Sequence, residues 1–555
     1  MGNGKKMKGV VVAPQPRASE TGARILESGG NAFDTALATA FMQMVLDPFM
    51  CGLGGMGSAN IYFAATKERC IIDFQTRAGS KVRADMWAKD ILGYTEISKI
   101  TLFADNRSEL GYSAIMTPGT VAGLGEIHQN YCTMKWGDLI APAIKTAREG
   151  FRVPPDLVEF LVWNNRLAQD KLQSQSTPDG LTRVKATDAC ARIYLRKDGT
   201  LIQSGDLLIN KDMADTLETL AEEGPDSFYH GSLARTIAKD FEENGSFITS
   251  DDLANYKPKK SAPLSTTYRG YTIAANRPPG GGPCIIELLN ILEGFPLGEL
   301  QHNSPEHLNI LARAMQQIHS DRNKYLGDPD FVSVPLDSIF LSRKHAEKCQ
   351  RTIKEKQTIP VATEAKELGT TNLCVIDEAS NAICLTHTLG SSSGVVTPGL
   401  GFMYNNSMKL FDPMPDKANS IAPGKARTSA MCPTIAFKGD RPVFAVGALG
   451  GSTIVSSVIQ SLCNVIDWGM TALEAVSAPR IHCEGAMVYV EAPIRSDTCA
   501  ALRQMGHQVD HRVDSYPGSS YAIIPRAQMA RIKPNDSLDG GADPRGGYGG
   551  VIYTK

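Results

Sequence analysis

The strongest constraint on the fold is a change of sequence pattern near residue 370. From about residue 124 to 363 the hydrophobic residues recur mostly at helical spacing, whereas the last third holds short apolar or β-branched runs between turn residues. We predict antiparallel strands at 372–377, 382–388, 434–437, 443–446, 487–491 and 520–524. The stretch 344–367, rich in Lys, Glu and Thr, resembles a linker and ends just before these strands. The chain therefore combines a mainly helical middle with a strand-rich end.

The N-terminal part predicts a strand followed by two helices. Gly9–Ala13 is a short apolar run, and Ser19 can cap a helix that ends at the Gly29-Gly30 pair. The segment 31–45 is apolar on most sides, which predicts a buried helix. A glycine-rich loop at 51–58 follows that helix and precedes a strand-like run. A dinucleotide-binding loop needs the opposite order, so we interpret this loop as a site of close backbone packing.

Composition and charge exclude several classes of protein. Of the 555 residues, 42% are hydrophobic and 21% charged, which is ordinary for a globular protein and excludes wholesale disorder. Lys plus Arg is 57 against 59 for Asp plus Glu, and this balance argues against a nucleic-acid binder or a polybasic membrane-surface protein. The longest apolar runs fall short of the ~20 residues that a membrane-spanning helix needs. The basic start lacks the apolar region of a signal peptide, so we expect a cytoplasmic protein.

The cysteines and histidines show no convincing metal-site spacing. None of the 12 cysteines forms a Cys-x-x-Cys pair, so neither a zinc site nor a disulfide scaffold is indicated. Two pairs have the spacing of metal ligands but lie outside helical patterns: Glu299 with His302, and His507 with His511. Cys374 and Cys384 are conceivable thiol nucleophiles, but their mid-strand positions favour buried, inert thiols. We therefore expect no metal and no cofactor.

The first candidate for chemistry is Gly369-Thr370-Thr371-Asn372, where the linker-like stretch meets the strands. A threonine hydroxyl is a poor nucleophile unless a base lies beside it, and cleavage before Thr370 would supply its own α-amine as that base. An α-amine titrates near ~8, so a useful fraction of it accepts a proton at neutral pH. The alternative is that small residues at the start of a strand have no chemical role.

The second candidate is the glycine pair Gly450-Gly451, which lies between an apolar strand and a helix. Backbone N–H groups at such a helix start can bind developing negative charge. The alternative is a simple tight turn between the strand and the helix.

Ordered motifs along nearly the whole chain carry a resemblance to a known family. They lie at 29–36, 52–57, 118–123, 136–151, 253–256, 278–283, 321–329, 369–372, 405–406, 431–434, 450–452 and 543–545. Together they resemble the γ-glutamyltransferase family of N-terminal-nucleophile hydrolases. The resemblance implies an α+β fold, a four-layer αββα sandwich. It also implies a precursor that cuts itself between Gly369 and Thr370, giving a large (heavy) fragment 1–369 and a small (light) fragment 370–555 of one interleaved domain.

The resemblance also implies roles for the residues of the catalytic centre. Thr370 would be the nucleophile, since the family is cut before the first threonine of the pair and not before Thr371. Thr388 matches a second threonine that helps to orient the amine of the nucleophile. Gly450 and Gly451 match the pair whose N–H groups form the oxyanion hole, where losing one donor costs ~10²–10³ in rate. Water or an amine would then resolve the acyl-enzyme.

The predicted carboxylate clamp departs from the family pattern. Where the family has an arginine that holds the α-carboxylate of the substrate, this chain has Gln75, and Arg77 lies two residues further on. In an extended segment the two side chains share one side, displaced by ~6.6 Å. Arg77 therefore either meets a shifted carboxylate or is a surface arginine.

The predicted α-amine site departs more strongly. Ser407 and Leu410 stand where the family has polar or acidic residues, Ser429-Ala430 replaces a serine pair, and Gly390 replaces an asparagine. Leu410 cannot accept a hydrogen bond from an ammonium group, and burying that cation unpaired would cost on the order of several kcal/mol. We therefore expect a substrate without a free α-amino acid head.

We interpret the chain as an autoprocessing amide hydrolase or acyltransferase that acts through Thr370 on a small amide, such as an acyl amide of the glutaryl type. One alternative is a true γ-glutamyltransferase or glutathione hydrolase with an altered clamp. Another is a non-processing binding protein, against which the retention of Thr370, Thr388 and the glycine pair argues. The expected partners are the small-molecule amide and the two fragments of one precursor, with a homodimer of these heterodimers as one arrangement. Neither nucleic acid nor a membrane is expected.

Overall fold

Two antiparallel β-sheets form the centre of the structure. The computed structural model describes residues 8–94, 101–158, 161, 178–355, 357, 359, 369–512, 526–546 and 549–554. The strands of the first sheet are, in order, Gly550–Thr554, Gly9–Ala13, Thr371–Asp377, Ala382–Thr388, Met56–Phe63, Glu68–Phe74 and Lys259–Ser261. Those of the second sheet are Leu538–Ala542, Ala527–Ile532, Arg441–Ala448, Thr434–Lys438, Tyr271–Ala275 and Leu264–Tyr268. Both sheets therefore contain strands from before and after residue 369.

The central strands are apolar on both faces because each face meets another layer. In the strand Gly9–Ala13, Val10 and Val12 pack between the two sheets, whereas Val11 packs against helices. The side chains of the strand Thr371–Asp377 alternate in the same way. Cys374 and Ile376 face the second sheet, whereas Leu373 and Val375 face the helices. Since successive side chains of a strand point to opposite faces, a strand buried on both sides has no polar face to show in its sequence.

Helices cover the outer face of each sheet. On the side of the first sheet lie Pro16–Glu27, Ala32–Leu46, Thr120–Tyr131, Trp136–Glu149, Gly180–Val184, Asp188–Tyr194, Lys211–Glu223, Ser232–Glu243 and Ser250–Ala254. On the side of the second sheet lie Gly282–Leu292, Pro305–Tyr325, Arg343–Lys354, Thr453–Trp468, Ala472–Ser477 and Ser496–Gln504. This four-layer αββα arrangement confirms the predicted α+β fold class.

Short elements connect these layers. A three-stranded sheet joins Ile481–Cys483, Met487–Glu491 and Gln508–Arg512, and two-stranded pairs join Gly93–Tyr94 with Thr101–Leu102 and Phe151–Arg152 with Leu207–Leu208. Single turns of 3₁₀ helix lie at Tyr112–Ala114, Pro225–Phe228, Leu297–Glu299, Ser407–Leu410 and Pro544–Gly546, and a π turn lies at Leu336–Phe340. Of the described residues, none belong to a helix long and apolar enough to cross a membrane.

The first helix starts earlier than the sequence predicts. It begins at Pro16 and not at Ser19, because a proline at the first helical position already has helical φ and lacks the N–H that would go unpaired there. Ser19 is buried inside the helix, and its hydroxyl donates to the carbonyl oxygen of Gly550 at 2.9 Å. The helix therefore docks onto the strand Gly550–Thr554 through the residue predicted to cap it.

The middle region contains strands that the sequence pattern does not predict. Lys259–Ser261, Leu264–Tyr268 and Tyr271–Ala275 lie within a stretch predicted as mostly helical. Arg269 and Gly270 form the two-residue turn of a hairpin, with φ of 48° and 78°, which matches the twist of the flanking strands. The predicted strand at 520–524 lies outside the described residues.

Candidate active site

The predicted nucleophile lies at the start of a central strand of the first sheet. Thr370 directly precedes the strand Thr371–Asp377 and is 1% exposed. Because Thr371 pairs with His387 in the neighbouring strand, Thr370 and Thr388 lie side by side at the end of the strand pair. Their hydroxyl oxygens are 3.3 Å apart. The register of the sheet thus brings together the two threonines that the sequence singles out.

The peptide bond between Gly369 and Thr370 receives contacts from both hydroxyls. Thr370 Oγ1 and Thr388 Oγ1 each donate to the carbonyl oxygen of Gly369. The backbone N–H of Gly390 donates to Thr388 Oγ1 at 2.7 Å and so holds this hydroxyl in place. A Cβ atom at Gly369 would overlap the carbonyl oxygen of Gly390, so only glycine fits there. A hydroxyl therefore lies beside the carbonyl of its own peptide bond, with a second hydroxyl bonded to the same oxygen.

Polar side chains hold the nucleophile strand from behind. Gln43 Nε2 donates to Thr371 Oγ1 at 3.0 Å and to Gln15 Oε1 at 2.8 Å, and Gln43 Oε1 lies 3.0 Å from His387 Nε2. Gln15 Nε2 donates to Asp47 Oδ2 at 2.7 Å. Burial lowers the pKa of His387 to about 3, and burial raises the pKa of Asp47 to about 7. The histidine that pairs with Thr371 is therefore neutral at neutral pH and serves as a support.

No basic side chain contacts the Thr370 hydroxyl within the part of the chain that the structure describes. Its hydrogen-bond contacts there are the Gly369 carbonyl oxygen and the Thr388 hydroxyl. A threonine hydroxyl needs a base to become a nucleophile at neutral pH. The α-amine that Thr370 would gain on cleavage is a base of suitable pKa within the same residue.

The glycine pair predicted as an oxyanion hole follows a strand that packs on the nucleophile strand. Gly447, near the end of the strand Arg441–Ala448, lies so close to Asn372 that a Cβ atom would overlap its side-chain amide. Gly450 and Gly451 follow this strand after Leu449 and have φ of 124° and 68°, conformations that favour glycine. The pair therefore sits in the layer that faces the nucleophile strand.

The carbonyl oxygens of the glycine pair point into the following helix. Thr453 Oγ1 donates to the Gly450 oxygen at 2.6 Å, and Ile454 N donates to the Gly451 oxygen at 3.0 Å. Neither N–H of the pair donates to an acceptor among the described residues. Within the described part of the chain nothing competes with an oxyanion for these two N–H groups, and their role in the oxyanion hole stays a prediction.

Arg77 and Gln75 make contacts within the protein. Arg77 Nη1 forms an ion pair with Asp328 Oδ2 at 2.6 Å, and the same oxygen accepts a bond from Ala426 N at 2.8 Å. The Arg77 side chain is 20% exposed, whereas that of Asp328 is fully buried. The Gln75 side chain donates to Asp73 Oδ1 at 3.1 Å. The substrate-binding roles predicted for Arg77 and Gln75 stay predictions.

Ser407 and Ser429 are both buried. Ser407 Oγ lies 3.8 Å from the sulfur of Met56, the residue that pairs with Thr388 across the first sheet. Ser429 N donates to the carbonyl oxygen of Pro279 at 2.8 Å, and its hydroxyl accepts a bond from Met431 N at 3.2 Å. Only Ser407 is linked to Thr388 by these contacts, and both substrate-binding roles stay predictions.

A buried charged cluster that contacts the loop after Thr388 was missed by sequence reasoning. Glu109 Oε1 accepts from Arg183 Nη2 at 2.8 Å and from Lys409 Nζ at 2.7 Å, and all three side chains are at most 3% exposed. Burial raises the pKa of Glu109, but the charges of Lys409 and Arg183 more than offset this and leave it below its usual range. Arg183 also donates to the carbonyl oxygen of Ser392, in the loop that follows Thr388. The sequence signal for this cluster was the departure from the family pattern at Leu410, because Lys409 directly precedes it.

The thiols and the spaced histidine pairs have structural surroundings. Cys374 and Cys384 are buried with their sulfurs 3.6 Å apart, and burial raises the pKa of the Cys374 thiol, in line with inert thiols. His302 Nε2 bonds Asn464 and His507 Nε2 bonds Asn309, at 2.9 and 2.8 Å. Neither of these pairs belongs to a cluster of metal ligands among the described residues.

The fold and the site together define a class of enzyme. A buried threonine bonded to the carbonyl that precedes it, on a central strand of an αββα sandwich, is the arrangement of an N-terminal-nucleophile amidohydrolase. The family model described as Gamma-glutamyltranspeptidase matches residues 18–553, and the chain belongs to this family.

Individual relatives include both hydrolases and acylases. The chain is 33% identical to the "Glutathione hydrolase proenzyme" of Bacillus subtilis (strain 168), over 90% of this chain and 85% of that protein. It is 34% identical to the "Acylase ACY 1 proenzyme" of Pseudomonas sp. (strain V22), over 90% of this chain and 87% of that protein. The structure of cephalosporin acylase from Bacillus halodurans matches with a TM-score of 0.83 and 28% identity, covering 99% of this chain and 96% of that chain. These similarities identify the chain as an autoprocessing amide hydrolase or acyltransferase.

Proposed function

We propose that the chain cuts itself before Thr370 and then uses Thr370 as the nucleophile on acyl amides that carry one carboxylate and no α-amino group. The observation that carries the proposal is the contact of both threonine hydroxyls with the carbonyl oxygen of Gly369. This contact supports a role for the Thr370 hydroxyl in two reactions, self-cleavage and amide hydrolysis.

Self-cleavage begins with attack of Thr370 Oγ1 on the carbonyl carbon of Gly369. The C–N bond to Thr370 breaks, its nitrogen takes the proton of the hydroxyl, and an ester then joins Gly369 to the threonine side chain. Water hydrolyses this ester and leaves fragments 1–369 and 370–555, the second beginning with a free α-amine. Thr388 Oγ1, bonded to the same carbonyl, stabilises the negative charge that develops on its oxygen.

Turnover uses the new α-amine. It accepts the proton of the Thr370 hydroxyl while the oxygen attacks the amide carbonyl of the substrate. The N–H groups of Gly450 and Gly451 receive the oxyanion, and the amine product leaves with the proton. Water, or a second amine, then attacks the acyl-enzyme and releases the acid or a new amide together with free Thr370.

The charged cluster near Thr388 supports a carboxylate on the substrate. Glu109 brings one negative charge against the two positive charges of Arg183 and Lys409, so the buried cluster has a net positive charge. Arg183 ties it to the loop after Thr388 through the Ser392 carbonyl. A buried net charge is unfavourable unless an opposite charge compensates it, and the carboxylate of a bound substrate would do so.

Leu410 supports the absence of an α-amino group. It follows Lys409 in the turn Ser407–Leu410, where an apolar side chain cannot accept a hydrogen bond from an ammonium group. The positive charge of Lys409 would in addition repel such a cation. Relatives named as acylases, at 34% and 28% identity, are consistent with a substrate of this kind.

A second candidate is a true γ-glutamyl hydrolase with an altered clamp, which the 33% identity to a glutathione hydrolase proenzyme favours. The two candidates are separated by kcat/KM on glutaryl, γ-glutamyl and butyryl p-nitroanilides, which differ in the α-amino group and the terminal carboxylate. We expect the glutaryl compound to exceed both others by at least about tenfold, the effect of one hydrogen bond to a charged group. Preference for the γ-glutamyl compound would establish the second candidate instead, and equal rates for glutaryl and butyryl would remove the carboxylate from the proposal.

A further inference from the structure

Four side chains of metal-ligating type meet in the helical layer on the second sheet, whereas Thr370 lies in the first sheet. Glu287 comes from the helix Gly282–Leu292 and Asp321 from the helix Pro305–Tyr325. His345 and Cys349 both come from the helix Arg343–Lys354, where a spacing of four residues puts them on one face. Three helices thus contribute to one cluster.

The four side chains converge on a single nitrogen atom. His345 Nε2 lies 3.0 Å from Asp321 Oδ2, 3.3 Å from Glu287 Oε1 and 3.4 Å from Cys349 Sγ. Glu287 and Cys349 are buried, and the side chains of Asp321 and His345 are only 11% and 15% exposed. Water is therefore largely kept from the centre of the cluster.

Hydrogen bonding alone leaves this cluster incompletely satisfied. A ring nitrogen of histidine carries at most one proton, yet three acceptors surround His345 Nε2. Glu287 is 1% exposed, and neither of its oxygens accepts a hydrogen bond from the described residues. Apart from the His345 nitrogen at 3.3 Å from Oε1, the Glu287 carboxylate has no polar partner among these contacts, and a bound cation is one explanation for such a buried group.

We propose that Glu287, Asp321, His345 and Cys349 form a structural zinc site. Zn–N, Zn–O and Zn–S bonds of about 2.0–2.3 Å in a tetrahedron separate neighbouring ligand atoms by about 3.3–3.7 Å. The ligand atoms of Glu287, Asp321 and His345 all lie within 4.8 Å of one another, so small outward movements of these three accommodate the ion. Cys349 Sγ lies 3.4 Å from His345 Nε2 but outside this group, so a rotation of the Cys349 side chain would complete the tetrahedron. Imidazole and thiolate donors favour zinc over magnesium or calcium, and four protein ligands leave no open position for catalysis.

The surroundings of the cluster fit such a site. Gln317 Nε2 donates to Asp321 Oδ2 at 2.7 Å, and outer hydrogen bonds of this kind orient ligating carboxylates. Binding of Zn²⁺ releases the proton of the Cys349 thiol and any proton on His345 Nε2, and the two carboxylates and the thiolate together outweigh the charge of the ion by one. The ion would join three helices, including Arg343–Lys354, the last described helix before Gly369.

The spacing rules used on the sequence do not detect this cluster. Its acidic ligands lie on two other helices, far from His345 in the chain, and His345 and Cys349 alone form no known zinc motif. Only the packing of the three helices brings the donors together.

The test is the metal content and spectrum of the untagged full-length chain. We expect inductively coupled plasma mass spectrometry to find about one zinc per chain after dialysis against metal-free buffer, loss of the zinc with a strong chelator, and a rise in Tm when zinc is restored. Cobalt in its place should show thiolate charge-transfer absorption, which Cys349→Ser should abolish. His345→Gln should lose the zinc, whereas His230→Gln, at an exposed histidine outside the cluster, should keep it.

Three results would overturn the zinc site. One is wild-type protein that neither contains zinc nor gains Tm when zinc is added to the chelated form. The second is zinc bound equally by wild type and by the doubly substituted His345→Gln, Cys349→Ser chain. The third is a cobalt spectrum without thiolate absorption in the wild type. The first and third use only the wild-type chain, so they decide the question even where a variant fails to fold.

Discussion

The proposed nucleophile side and the proposed substrate-binding side of the site are built in different ways. On the nucleophile side, Thr370 and Thr388 are aligned by strand register, and Gly369 and Gly390 are packed so closely that no side chain fits between them. On the proposed binding side, the side chains that we propose for recognition, such as that of Lys409, lie in the turn Ser407–Leu410. Backbone geometry admits few substitutions, whereas side chains on turns can be exchanged without moving a strand. The comparison explains how one fold can keep its chemistry while its substrate changes.

The two sides also differ in charge. The groups bonded to the Thr370 hydroxyl in the described part of the chain are a carbonyl and a hydroxyl, both neutral. The binding side instead buries the ions Glu109, Arg183 and Lys409. A neutral environment keeps the α-amine of a cleaved Thr370 basic without a competing charge, whereas a buried charge discriminates strongly among substrates.

The largest effect is expected from Thr370→Ala, which tests the nucleophile side. Without the hydroxyl the chain should remain a single 555-residue species and lose amidase activity by more than about 10³-fold, because one group serves both reactions. Intact mass and p-nitroanilide hydrolysis measure the two effects. Thr371→Ser is the matched control, since it keeps the hydroxyl bonded to Gln43 and should cleave normally. Cleavage of the Thr370→Ala chain at the same bond would contradict the assignment.

A smaller loss is expected from Thr388→Val, which removes a hydroxyl with little change of shape. The Gly369 carbonyl loses a donor and Gly390 N loses its acceptor, so cleavage and turnover should both slow by ~10²-fold. The time course of fragment formation and kcat measure this. Thr388→Ser should stay close to wild type, and a valine variant as fast as the serine variant would show that the hydroxyl has no chemical role.

On the binding side, Lys409→Met should lower kcat/KM for the glutaryl anilide by about 10- to 100-fold, the effect of losing a hydrogen bond to a charged group. The butyryl anilide, which has no carboxylate, should be hydrolysed at an unchanged rate. Lys409→Arg should restore part of the loss. Lys425→Met, at another buried lysine bonded to the Ala418 carbonyl, is the control for loss of a buried charge elsewhere. Equal losses on both anilides would indicate a structural role for Lys409.

Sequence reasoning reaches local patterns and stops at contacts between distant segments. The strands 372–377 and 382–388 are predictable because burial on both faces leaves uninterrupted apolar runs, and their pairing then aligns Thr370 with Thr388. The strand Leu264–Tyr268 escapes notice because it lies at a sheet edge, where its polar side chains alternate with buried ones.

Ion pairs show the same limit more sharply. Arg77 pairs with Asp328 and Glu109 with Lys409, partners that are 251 and 300 residues apart in the sequence. No rule of spacing links such partners. Sequence patterns predict which face of a segment is buried and which secondary structure the segment forms. The partner of a buried charge is determined by packing, so the pairing that brings Thr370 beside Thr388 could be predicted and the charged cluster could not.

The smallest effect is expected from Asp47→Asn, which tests whether the support behind the nucleophile strand works as a neutral network. Burial raises the pKa of Asp47 to about 7, above the value of 3.8 that it has in the unfolded chain. Between these values the unfolded chain has lost a proton that the folded chain keeps, so the stabilising contribution of Asp47 falls as pH rises toward 7 and is level above it. In the wild type, Asp47 Oδ2 accepts a hydrogen bond from Gln15 Nε2. Asparagine does not titrate, and its side-chain oxygen can accept the same bond. The Tm of the variant minus that of the wild type should therefore increase from pH 4 to pH 7, and kcat should change little. A Tm difference that is the same at every pH would show that Asp47 is ionised in the fold.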